Sequence, residues 1–213
     1  MNQIVVVDYG MGNLRSVSKA LESRGAEVRV SGDPADVANA DKLILPGVGA
    51  FPAAMKELAA RGLIEPIKAA IASGTPYLGI CLGLQLLFER SDEGEGAAGF
   101  GVLPGTVKRF SVEAPLKVPH MGWNQLTRPQ TTDDRPQQAL GCPLLQGIPE
   151  QVFVYFVHSY YADPMDRSLI ALESDYGGRF AAMVWRQNLY ATQFHPEKSQ
   201  AVGLQLLHNF IHL

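Results

Sequence analysis

The sequence predicts an α/β fold, with a mostly parallel central sheet between two layers of helices and antiparallel strands in the C-terminal half. Three observations predict it. Short β-branched runs alternate with helical periods through the first half, the pattern of crossover units that builds a helix-covered parallel sheet. In the second half, strand-length runs follow one another closely enough for antiparallel pairing. The 213 residues are 46% hydrophobic and 18% charged. A chain of that size buries roughly 70% of the surface its unfolded form exposes, so its core needs no disulfide or metal. No repeat, low-complexity linker or composition break divides the sequence, and residues 1–213 are expected to form one domain.

Ile4 to Val7 reads as a buried strand, after which Gly10-Met11-Gly12-Asn13 turns the chain. Asn13 is placed to cap a helix whose stripe of Leu14, Val17, Ala20 and Leu21 stops at Gly25. Glu27 to Val30 and Lys42 to Leu45 are the second and third strands, the latter broken by Pro46-Gly47-Val48-Gly49. Met55, Leu58 and Ala59, then Leu63, Ile64, Ile67 and Ile71, mark helical faces ending near Gly74. Tyr77 to Ile80 is the fourth strand and runs directly into Cys81, with helical character from Leu82 to Phe88 and no turn signal between. The polar segment Arg128 to Gln138 reads as a surface loop. Val152 to Val157, Ser168 to Leu172, Phe180 to Trp185 and Leu189 to Gln193 are the later strands, with Arg186-Gln187-Asn188 as a hairpin turn. Ser199 is placed to cap a last helix that packs on the sheet through Val202, Leu206 and Phe210. In sum these elements make a flavodoxin-like three-layer sandwich.

Charge and apolar patterning exclude several classes of function. Lys and Arg number 18 against 21 Asp and Glu, a net charge of -3 without basic blocks. Nucleic acid and anionic membranes would each need clustered Lys and Arg, and neither is expected as a partner. The start Met1-Asn2-Gln3 lacks a basic leader, and no apolar run approaches the ~18 residues of a membrane helix, so a cytoplasmic chain is expected. Cys81 and Cys142 are the two cysteines and neither belongs to a Cys-x-x-Cys pattern. No disulfide framework, metal or cofactor is expected, and a cysteine that matters here acts as a thiol.

Gly79-Ile80-Cys81-Leu82-Gly83 has the form of a nucleophile elbow at a strand-to-helix junction. Its glycines relieve crowding where the backbone turns sharply, and the following helix N-terminus favours thiolate over thiol. Taken alone, a free cysteine among Ile and Leu is most often a small buried hydrophobe. A thiolate attacking an amide needs a proton carrier, and imidazole suits that task near neutrality. Of five histidines, His208 and His212 fall on the terminal helix, His120 lies in a Pro-rich loop and His158 ends a strand. His195-Pro196-Glu197 fits best, because a carboxylate two residues on can hold the second ring nitrogen. Backbone donors for a developing oxyanion would come from Leu82 and from the glycine-rich segment Pro46-Gly47-Val48-Gly49, although a Pro-Gly pair is more often a plain turn.

Gly79 to Gln85 together with His195-Pro196-Glu197 resembles the triad-type (class I) glutamine amidotransferases, and the likeness covers nearly the whole chain. The segments Asp8 to Leu14, Pro46 to Phe51, His120 to Asn124 and Phe156 to Tyr161 look like those of the glutaminase subunits of imidazole glycerol phosphate synthases. That resemblance implies Cys81 as nucleophile toward L-glutamine, His195 as proton carrier and Glu197 as its orienter. It implies an oxyanion hole from Val48, Gly49 and Leu82, with Gly49, Leu82, Gln85, Ser159 and Tyr160 holding the substrate. It also implies a heterodimer with a (β/α)-barrel cyclase subunit docked near Asn13, Met121, Trp123 and Asn124. Free ammonia is mostly protonated at neutral pH, so passing it directly to an acceptor site is advantageous. No phosphate-cradling Gly-x-x-x-x-Gly-Lys motif or synthase segment accompanies the elbow. Other readings are the glutaminase of pyridoxal phosphate synthase, a cysteine hydrolase on the same scaffold, and a binding domain with Cys81 buried. The first would carry a Gly-Gly-Glu-Ser-like segment at Pro46 to Gly49, and the second often places a histidine where Leu82 stands.

Overall fold

The computed structural model describes residues 3–129 and 141–213. Met1, Asn2 and most of the expected 128–138 loop lie outside them. The main sheet takes its parallel part from β1 (Ile4–Val7), β2 (Val28–Ser31), β3 (Lys42–Gly47), β4 (Tyr77–Cys81) and β13 (Leu189–Thr192). Antiparallel β12 (Arg179–Arg186) and β11 (Ile170–Asp175) complete it, in the order β11-β12-β13-β4-β3-β1-β2. This is the expected α/β class, mostly parallel with an antiparallel C-terminal edge. All four residues of β1 and all six of β3 are buried, as central parallel strands covered on both faces must be.

Alternation along the strands divides the core between two faces. Val5, Val7, Leu43 and Leu45 meet α2 (Pro34–Ala38), α3 (Phe51–Ala60) and α4 (Ile64–Ala72), while Ile4, Val6, Ile44, Leu78 and Ile80 meet α1 (Leu14–Glu22) and α6 (Gln200–Ile211). Buried Lys42 ties β3 to the end of α6, its Nζ donating to the carbonyls of Phe210 at 3.1 Å, Ile211, and Leu213 at 3.1 Å. Asn13 and Ser199 occupy the N-cap positions of α1 and α6 as read from sequence, but neither side chain bonds its helix. Ser199 Oγ donates instead to the His195 carbonyl at 2.7 Å and accepts from Tyr155 N at 3.0 Å.

The helix after Cys81 is shorter than expected. Helix α5 spans Leu82–Gln85, and Phe88, read as helical, opens β5 (Phe88–Ser91). Here tertiary pairing overrides local propensity, because β5 joins β6 (Ala97–Ala98), β7 (Leu103–Arg109) and β10 (Tyr160–Pro164) in a second sheet. The Val152 to Val157 run forms β9 (Phe153–His158), yet it does not join the other late strands. It pairs with β8 (His120–Gln125) in a separate antiparallel ribbon, so His120 opens a strand rather than sitting in a loop.

Candidate active site

Three parallel strands deliver the chemistry to one edge of the sheet. Register pairs Gly47 of β3 with Cys81 of β4, and Thr192 of β13 with Ile80. The segments leaving the carboxyl ends of these strands therefore converge on Cys81, where α/β sheets place their sites. Val48-Gly49 arrives from one side and Gln193 to Glu197 from the other.

Cys81 adopts φ 55° and ψ -104°, a conformation that costs a non-glycine residue of the order of 1–3 kcal/mol. Two glycines make the turn possible. A Cβ on Gly83 would lie 1.9 Å from the Leu45 carbonyl oxygen, and one on Gly79 would lie 2.6 Å from the Gly83 oxygen. The elbow is therefore pressed directly against β3. Leu82 opens α5, so its backbone N–H has no intrahelical acceptor. Gly49 has φ 93°, which favours glycine, while a Cβ there would meet only the movable Met11 methyl at 2.8 Å.

His195 Nδ1 donates to Glu197 Oε1 at 2.8 Å, with the side chains 2% and 1% exposed. His195 N donates to the Tyr155 carbonyl at 3.0 Å, and the short 3-10 turn Pro196–Lys198 returns Glu197 beneath the ring. Burial opposes a charge on this imidazole. The charges of neighbouring Cys81 and Glu197, with the Glu197 hydrogen bond, outweigh it and push the imidazole up to about 10. His195 Nε2 is buried and has no hydrogen-bond partner among the described residues. A proton held beside a sulfur, on a ring oriented by a carboxylate, is the equipment of nucleophilic acyl transfer.

A cleft of about 340 Å³ opens on these groups. It is lined by the expected Val48, Gly49, Cys81, Leu82, Gln85, Ser159, Tyr160 and His195, and its volume is that of a small-molecule site. Sequence reasoning missed Glu93 in the cleft wall, whose Oε2 accepts from Phe51 N at 2.7 Å and caps α3. It also missed Gln193, fully buried, whose Nε2 donates to Cys81 Sγ at 3.6 Å. The position of Gln193 one step past β13, beside the elbow, was its only signal, and that depends on strand order. Cys142 is buried away from the cleft and its thiol is pushed up to about 12 by burial, which fits a bystander. Among the described residues no three His, Cys, Asp or Glu gather into a metal site, and no helix is long and apolar enough to cross a membrane.

Met121 and Trp123 stand on the outer face of the β8–β9 ribbon, 63% and 46% exposed, with Phe153 of the same face 55% exposed. Asn124 turns inward, its Nδ2 donating to the Asp175 carbonyl at 2.7 Å. Asn13 is half-buried beyond β1, on the same carboxyl edge of the sheet as the elbow.

Residues 5–213 match the family model of class-I glutamine amidotransferases. The chain is 54% identical to the imidazole glycerol phosphate synthase subunit HisH of Syntrophotalea carbinolica, over 97% of this chain and 98% of that protein. It is 52% identical to the HisH of Rhodopirellula baltica, with 97% and 96% covered. Among solved structures, PurLQS from Thermotoga maritima superposes with a TM-score of 0.73 at 19% identity, covering 100% of this chain and 99% of that one. A crystal structure of a glutamine amidotransferase superposes with a TM-score of 0.72 at 18% identity, covering 98% and 99%. By family model and by full-length relatives at about half identity, the chain belongs to the class-I glutamine amidotransferases, in the HisH family of imidazole glycerol phosphate synthase subunits.

Proposed function

We propose that the chain is the glutaminase subunit of an imidazole glycerol phosphate synthase, hydrolysing L-glutamine and passing ammonia to a (β/α)-barrel cyclase subunit. The observation that carries this reading is a strained cysteine elbow and a buried His–Glu pair opening on one cleft, in a chain about half identical to HisH proteins end to end. Cys81 Sγ attacks the side-chain carbonyl carbon of glutamine, and Leu82 N–H with the Val48–Gly49 peptide receives the oxyanion. His195 protonates the departing nitrogen, and ammonia leaves as the thioester forms. His195 then takes a proton from water, which attacks the thioester, and glutamate departs with the sulfur restored. Glu197 holds the ring for both transfers, while Gln85 and the Ser159–Tyr160 backbone hold the substrate. The cyclase uses the ammonia on a ribulosyl phosphate intermediate to form imidazole glycerol phosphate and aminoimidazole carboxamide ribotide.

The outer face of the β8–β9 ribbon, with Met121 and Trp123, is the docking surface in this reading. Asn13 contributes from the neighbouring edge and Asn124 by holding β8 from within. The test mixes the chain with a cyclase and its ligand and follows glutamate release. Glutamine hydrolysis should rise on adding that ligand, and Cys81→Ala should lower it by ~10⁴-fold or more. Full glutamine-supported activity in Cys81→Ala would overturn the mechanism, and no rise with the cyclase ligand would overturn the assignment to this synthase.

A further inference from the structure

Cys81 is joined to the docking ribbon by an unbroken line of hydrogen bonds. Gln193 Nε2 donates to Cys81 Sγ at 3.6 Å, and Gln193 Oε1 accepts from Gln85 Nε2 at 3.1 Å. Gln85 Nε2 also donates to the Tyr160 carbonyl at 2.9 Å, where His158 Nδ1 arrives from the other side at 2.8 Å. His158 Nε2 lies 3.1 Å from His120 Nδ1, and His120 Nε2 lies 3.3 Å from Asn124 Nδ2. Resting on the glutaminase reading, we infer that Gln193, His158 and His120 are positioning residues, which hold the nucleophile and the substrate-binding backbone in register with β8.

Donor directions follow from one atom. A carbonyl only accepts, so His158 Nδ1 carries the hydrogen toward Tyr160. Neutral His158 must then accept at Nε2, which makes His120 Nδ1 the donor and His120 Nε2 an acceptor for the Asn124 amide. Asn124 is pinned in turn, because Nδ2 also reaches the Asp175 carbonyl at 2.7 Å and Oδ1 accepts from Gln125 N at 2.8 Å. One tautomer of each ring satisfies every junction, and a proton added to either ring sets two donors face to face. Both rings stay neutral at working pH. Burial pushes His120 down to about 4, and burial together with the charges of His120 and His195 pushes His158 down to about 3. Phe110, Phe156, Phe180 and Tyr176 wall the pair from water.

Consequences fall on the cleft. The Tyr160 carbonyl has both acceptor sites filled, and the preceding Ser159 carbonyl accepts from Phe110 N at 3.0 Å, so two successive peptide planes in the cleft wall are fixed. Gln85 gives both of its N–H groups to the line, leaving Oε1 for a ligand.

Two readouts test the inference. In the chain reconstituted with its cyclase, His120→Phe keeps an aromatic ring in the nest but removes both junctions. It should raise the glutamine KM about five- to tenfold with little change in kcat, and His120→Gln, which can donate and accept, should recover most of the loss. Independently of activity, ¹⁵N shifts of the isolated chain should show His158 and His120 both as Nδ1–H tautomers at pH 7. An Nε2–H tautomer on either ring overturns the relay, as does unchanged KM in His120→Phe. If His120→Phe does not fold, His120→Gln and the tautomers decide. Absence of glutaminase activity in the wild-type complex counts against the parent reading, and the tautomers still decide the relay.

Discussion

Glu197 and His195 are buried together, and their coupling decides what the imidazole does. Burial by itself would strip the ring of its proton, yet Cys81 and Glu197 push it up to about 10. Glu197→Gln removes the negative charge while keeping the shape, so the ring should lose its proton at lower pH, an effect read directly from the His195 ¹⁵N shift. General acid–base catalysis contributes about 10²–10⁴-fold, and a loss in kcat within that range is expected. Unchanged kcat in Glu197→Gln would show that the carboxylate does not orient the base. The motif His195-Pro196-Glu197 was legible because both residues lie in one short turn. Gln193 and Glu93 were not, because each reaches the cleft only through the order of strands and the cap it makes on a distant helix.

At the scale of elements, the β8–β9 ribbon shows most clearly what local pattern conceals. Its inner face carries His120, Asn124, Phe156 and His158, and its outer face carries Met121, Trp123, Tyr155 and Phe153. On β8 the buried face carries polar His120 and Asn124 while apolar Met121 and Trp123 face outward, so its alternation gives no strand signal against the Pro-rich flank, and proximity in sequence groups β9 with the later strands instead of with β8. An apolar outer face is suited to a partner. Trp123→Ala should leave the stability of the isolated chain within about 0.5 kcal/mol but weaken association with the cyclase by about 2 kcal/mol or more, roughly thirtyfold in Kd. Titration calorimetry with both proteins would check it, and an unaltered Kd would move the docking surface elsewhere.

For the whole molecule, three buried histidines set opposing pH dependences. His195 is raised to about 10, so its contribution is complete below about 6.5 and is lost as pH rises toward 10. His120 and His158 are lowered to about 4 and about 3, so the unfolded chain binds the extra protons below 6.5. Each removes about 1.4 kcal/mol of stability per pH unit as pH falls from 6.5 toward 4, while His195 adds no slope there. These three groups together place their optimum near pH 6.5. Urea midpoints at pH 4.5, 6.5 and 8.5 should peak at the middle value, and His120→Phe should roughly halve the acid-side slope. Equal midpoints at pH 4.5 and 6.5 would contradict the neutral histidine pair. At the same scale, Val48 bears on activation, because a valine peptide is less free than a glycine one to turn its N–H toward an oxyanion. Glutamine turnover by the isolated chain should therefore fall well below that of the complex, and equal turnover would mean a hole formed without the partner.

The alternation of β-branched runs and helical periods determined the parallel sheet, and Gly79 to Gly83 with His195 to Glu197 marked the candidate nucleophile and its proton carrier, because those signals are local and each completes its geometry within a few residues. Tertiary structure decided the rest. Strand order brought Val48-Gly49 and Gln193 to opposite sides of Cys81, and long-range pairing turned Phe88 and His120 into strands. The line from Cys81 to Asn124 joins residues more than a hundred positions apart, as between Cys81 and Gln193. Such contacts are set by which surfaces must be buried together, and no window of sequence contains that information.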